Sequence, residues 1–152
     1  MIVSTDCTSK KLKNLLDQSG FLIFPNVVVQ GKSFTELLSD ILKIDVTIAN
    51  TAYEYITINE HLPLHYHTSN IEFIAIHWEF STGPGRKFIY GDSEYSPTAK
   101  DLAIILPNQP DFLHGTTVQE EGCDTRTRVM LCNKIGEGDL WHKTFDSESN
   151  PI

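Results

Sequence analysis

The sequence predicts a mainly β protein, a small jelly roll with two short helices ahead of it. Three observations carry that expectation. Apolar residues recur at helical spacing in the first 45 positions and give way to alternating or short continuous apolar runs from Val46 onward. About eight such runs follow, each bounded by turn residues, which suits a sandwich or barrel better than a βαβ sheet. The chain is 152 residues long, enough for one core and short for two.

In the first helix, Leu12, Leu15 and Leu16 share a face over roughly 8–18, and Gly20 is placed to end it. Phe21-Leu22-Ile23-Phe24 is then a short apolar strand closed by Pro25. The second helix opens at Ser33-Phe34-Thr35-Glu36, a capping box, and carries Phe34, Leu37, Leu38, Ile41 and Leu42 on one stripe. Strands are expected over 46–49, 53–58, 64–68, 71–80, 87–90, 102–106, 112–118 and 126–133. Thr82-Gly83-Pro84-Gly85 reads as the clearest hairpin, and Pro107-Asn108-Gln109-Pro110 closes the all-apolar run before it. The expected organisation is one domain, with a helical flank over 1–45, a jelly-roll core over 46–135 and a polar tail over 136–152.

Composition narrows the partners. Twelve Lys and Arg against 20 Asp and Glu give a net charge of −8, and no basic cluster exceeds Lys10-Lys11-x-Lys13. Phosphate neutralisation requires such clusters, so neither nucleic acid nor an anionic membrane surface is an expected partner; a small-molecule or peptide substrate is. No apolar run reaches membrane-helix length, and the first residues lack a signal-peptide pattern. Cys7, Cys123 and Cys132 are odd in number and widely spaced, arguing against a zinc motif or a disulfide framework and for a cytoplasmic location.

The histidines carry the chemical information. In His65-Tyr66-His67 the two imidazoles of a strand point to one face, with Cα atoms roughly 7 Å apart, within reach of a single metal. His114, on a strand far along the chain, is placed to supply a third ligand when a jelly roll brings distant strands together. Three imidazoles leave open coordination positions, as a catalytic metal needs. His77, within Ile74-Ala75-Ile76-His77-Trp78, reads better as a hydrogen-bonded buried histidine than as a ligand. His61 and His142 read as surface residues. On the strand containing Val129 to Cys132, Arg126, Arg128, Met130 and Cys132 share one face and Val129 and Leu131 the other. An inward arginine there requires an anion, either a carboxylate co-substrate or one of the chain's own acidic residues.

Leu64-His65-Tyr66-His67, Ala75-Ile76-His77-Trp78 with the Gly83-Pro84-Gly85 turn, Leu113-His114-Gly115 and Arg128 together resemble the double-stranded β-helix core of the Fe(II)/2-oxoglutarate-dependent oxygenases. Ser19-Gly20-Phe21-Leu22-Ile23-Phe24-Pro25 is similar to the strand that precedes that core, so the resemblance spans roughly 20–133. It implies Fe(II) held by His65, His67 and His114, and 2-oxoglutarate as co-substrate with its distal carboxylate on Arg128. The 14-residue step from His114 favours Arg128, with Arg126 the alternate. Thr116, Thr127 and Trp78 would line the pocket. His67 stands where the family has Asp or Glu, which removes a negative charge and implies iron of altered reactivity, another divalent metal, or a lineage without oxygenase activity. His65-x-His67 followed by Glu72 also resembles the first cupin motif, with Pro107 and His114 standing in for the second, implying a cupin-type metalloprotein with Glu72 as fourth ligand. A metal-free β-sandwich binding module is the third possibility.

Overall fold

A computed structural model describes residues 2–4, 6–46, 53–58, 71–81, 88–96, 99–107, 113–116 and 125–134. Helix α1 (Ser9–Ser19) is capped by Thr8, whose hydroxyl accepts from the Lys11 amide at 3.2 Å, and stops at Gly20 in the left-handed conformation, φ +83°. Leu12 and Leu16 are fully buried beneath it. Strand β1 (Phe21–Phe24) follows. Helix α2 (Phe34–Leu42) opens as the capping box predicts, with the Glu36 amide donating to Ser33 Oγ at 3.1 Å. The Ser33 hydroxyl in turn donates to the Glu36 carboxylate at 3.2 Å. All five residues of the predicted stripe are buried.

The strands are β2 (Tyr53–Ile58), β3 (Ile71–Ser81), β4 (Phe88–Tyr90), β5 (Ser93–Tyr95), β6 (Leu102–Ile105), β7 (His114–Thr116) and β8 (Thr125–Asn133). They form two antiparallel sheets, a main sheet in the order β1-β6-β3-β8-β2 and a small sheet in the order β5-β4-β7. This is the expected jelly-roll class, with the two helices on the outside. Of the expected strands, 64–68 lies outside the described residues, as does most of 46–49. Strand β5 was not anticipated: Ser-Glu-Tyr is too short and polar to show a period, and only the Gly91-Asp92 turn signals it.

Strand β3 pairs with β6 and β8, whereas β4 pairs with β5 and β7. The hairpin expected at 82–85 lies outside the described residues, and the strands before and after it, β3 and β4, belong to different sheets.

The main sheet is apolar on both faces. Leu22, Phe24, Phe73, Ala75, Leu102, Ile104, Met130 and Cys132 pack under the helices. Ile23, Ile74, Trp78, Ala103, Ile105 and Val129 face the small sheet, where they meet Phe88 and Tyr90. Consecutive residues of β6 thus enter different cores, which explains why Leu102 to Ile105 reads as a continuous apolar run. At the outer edge, Ile2 bridges to Ile23 and the Val3 amide donates to the Ile23 carbonyl at 2.8 Å, covering β1.

Candidate metal centre between the sheets

Strand β7 is only three residues long, held by its pairing to β4 and by the Gly91 amide, which donates to the Leu113 carbonyl at 2.8 Å. His114 lies directly opposite Tyr90 in that pairing, so both side chains leave the same face of the small sheet. Tyr90 belongs to the inter-sheet core; His114 accordingly faces the space between the sheets, and it is only 3% exposed. An imidazole in that position suits a metal enclosed by the jelly roll.

Tyr90 is a residue the sequence did not single out. Its hydroxyl donates to the Leu106 carbonyl at 3.0 Å, and burial pushes its pKa up to about 12. Its ring lies 5.7 Å from that of Phe21 and so close to Gly20 that a Cβ there would come within 2.5 Å of Cε1. Gly20 is needed twice, for its positive φ and for the room it leaves Tyr90. The available signal was the strand parity that puts Phe88 and Tyr90 on one face. At the far end of β4, Phe88 meets Trp78 edge to face at 5.9 Å. These two contacts tie the His114-bearing sheet to the main one.

His65 and His67 lie outside the described residues, as do His61 and His142. Among the described residues no three His, Cys, Asp or Glu side chains converge on a point. Strands β2 and β3 are both antiparallel to β8, hence parallel to each other with β8 between them. In these registers Ile58 sits opposite Arg126 and Ile71 opposite Asn133.

Arg128 stands apart from this site. It pairs with His77 across β3 and β8 and shares the face of Met130 and Cys132, which is the face under the helices. Nε donates to Glu79 at 3.0 Å and a terminal nitrogen to Glu54 at 3.1 Å. Burial works against its charge, but the hydrogen bonds and charges of Glu54 and Glu79 outweigh it and hold the pKa above its ordinary value. Arg126, two residues earlier, shares the face and is exposed. The anion required by an arginine on β8 is therefore the chain's own pair of glutamates, and the carboxylate-anchor position expected of Arg128 or Arg126 is separated from His114 by the thickness of the main sheet. The inward positions of β8 hold Thr127 and Val129.

Two further expectations resolve simply. His77 is 2% exposed, and its Nε2 lies 3.0 Å from the Val27 carbonyl, a buried hydrogen-bonded histidine on the helix side. Glu72 is buried and adjoins Cys132, whose thiol is pushed up to about 12 by burial and then by the Glu72 charge.

This architecture, two antiparallel sheets with helices on the outer face of one, is the cupin-like jelly-roll fold. An oxidoreductase of the 2OG-Fe(II) oxygenase family from Burkholderia pseudomallei superposes with a TM-score of 0.62 at 9% identity, over 89% of this chain and 94% of its own. The PvcB protein of Pseudomonas aeruginosa superposes with a TM-score of 0.59 at 10% identity, over 88% and 85%. At such identities the likeness is one of fold. No protein-family model and no curated protein matches the sequence.

Proposed function

We propose that the chain is a non-haem metalloprotein of the oxygenase type, with His65, His67 and His114 holding Fe(II) or another divalent metal between the two sheets. The observation that carries this is His114, buried on the inner face of a strand whose outer edge has no partner among the described residues. The alternation of a strand would put the imidazoles of His65 and His67 on one face, as such a ligand set requires. When bound, the metal supplies the redox chemistry toward O₂ that no side chain here provides. The chain's part is to hold three imidazoles, exclude water with Trp78, Ile105, Val129 and Phe88, and brace the small sheet through Tyr90.

2-Oxoglutarate is the co-substrate to which the fold neighbour's name points. Its distal carboxylate is not assigned to Arg128 or Arg126, which lie behind the sheet. That orientation, with three neutral ligands in place of two and a carboxylate, favours a second reading: a cupin-type metalloprotein acting on a small molecule without 2-oxoglutarate. Metal analysis of untagged protein with a succinate-release assay separates them. Iron with succinate production selects the 2-oxoglutarate oxygenase, metal without it selects the cupin type, and protein that binds no added Fe(II), Mn(II) or Zn(II) overturns both.

A further inference from the structure

The placement of the basic side chains bears on what the space between the sheets can take. Of the 12 Lys and Arg, Arg86, Lys87 and Lys143 lie outside the described residues. Lys10, Lys11 and Lys13 belong to α1, Lys32 and Lys43 flank α2, and Lys100 and Lys134 are exposed. Arg126 and Arg128 take the helix-side face of β8, where Glu54 and Glu79 hold Arg128. Among the described residues, then, no lysine or arginine enters the inter-sheet core. The polar groups that do reach it oppose negative charge. Tyr90 and Tyr95 extend from the small sheet, and burial raises both phenols above their ordinary pKa; for Tyr95 the hydrogen bond and charge of Asp101 add to the rise. A carboxylate brought among Trp78, Phe88, Ile105 and Val129 would meet the same desolvation with no described cation to offset it. The proposed metal is the exception. Three imidazoles are neutral ligands, so a divalent ion among them keeps both its charges and attracts one anionic donor.

We infer that the ligand of this space is a small monocarboxylic acid, with its single anionic end on the metal and an uncharged, apolar tail against Trp78, Ile105 and Val129. The inference rests on the metal reading above and deepens it by naming the ligand class. A dicarboxylate such as 2-oxoglutarate does not fit, because its second carboxylate would enter the apolar core, and the arginines of β8 lie on the opposite face of the sheet.

The test uses the whole protein loaded with Co(II), whose visible absorption reports a change of ligands. It is titrated with 2-oxopentanoate and with 2-oxoglutarate, which share the 2-oxo acid end and differ in a distal methyl or carboxylate. 2-Oxopentanoate should bind at least about tenfold more tightly. Arg128→Met, a change on the far face of the sheet, should leave both affinities as they were. With Co(II) bound, the inference alone is overturned if 2-oxoglutarate binds as tightly or more tightly, or if Arg128→Met selectively weakens it. A spectrum unmoved by either acid at about 10 mM also overturns the inference alone. Protein that takes up no Co(II) overturns the metal reading, and the inference with it.

Discussion

The two faces of the main sheet are built from the same strands and do different work. Toward the helices, the sheet combines a large apolar core with an ionic border at Glu54, Arg128 and Glu79, where α2 stops covering the strands. Toward the small sheet it is apolar apart from Thr127, and the imidazole of His114 and the phenol of Tyr90 enter from the opposite wall. Charge collects where water still reaches it; Arg128 keeps 32% of its side-chain surface exposed. The enclosed space receives neutral groups, the His114 imidazole and the Tyr90 phenol, the latter bonded to the Leu106 carbonyl. The difference teaches that charge at the border of a sheet keeps its solvation, whereas a polar group inside a closed apolar space must be neutral and find a partner there.

The strongest way to break this contrast is to remove the inner imidazole. His114→Ala should lower affinity for Fe(II), or Co(II) as a stable surrogate, by at least about a hundredfold in calorimetric titration, since losing a direct ligand costs no less than losing its support. An affinity equal to that of the unaltered protein would place the metal elsewhere. Next in size is the seam between the sheets. Gly20→Ala should destabilise the fold by about 2–4 kcal/mol in urea unfolding, combining positive-φ strain with overpacking against Tyr90. A loss under about 1 kcal/mol would mean the Tyr90 ring moves aside at little cost.

The helix-side core is sharpened by alkaline titration. The Cys132 thiol is raised from about 9 to about 12, by burial and then by Glu72, so the folded state keeps a proton that the unfolded chain gives up. Its contribution is complete below pH 9 and is lost as pH rises toward 12, with a slope of up to about 1.4 kcal/mol per pH unit. Cys132→Ala should flatten that decline, and in the unaltered protein at pH 8 half-buried Cys7 should react with a thiol reagent well before Cys132. The smallest effect is expected at the ionic border. Arg128→Met should change stability by only about 1 kcal/mol, as for a partly exposed ion pair, and leave metal affinity unchanged. A large fall in metal affinity would join the two faces and refute their separation.

Much of this was legible in the residues. Thr8 and Gly20 bound α1, Ser33 and Glu36 open α2, and the strands at 53–58, 71–81 and 125–133 follow their apolar runs closely, because caps and periodicity are local properties. The β8 pattern also fixed that Arg126 and Arg128 share a face with Met130 and Cys132. It did not fix which face encloses the site. Met130 and Cys132 are as apolar as Val129 and Leu131, so a strand buried on both sides offers no polar face by which to orient it. That choice belongs to the tertiary structure. The helices cover one side, the small sheet closes over the other, and only then does a residue two positions from a buried methionine become the partner of Glu54 and Glu79. The same holds for His114, whose identity and strand were readable. Its entry into a closed space opposite Tyr90 depends on β4, Gly20 and Leu106, which meet across long stretches of chain and leave no periodic trace in the sequence.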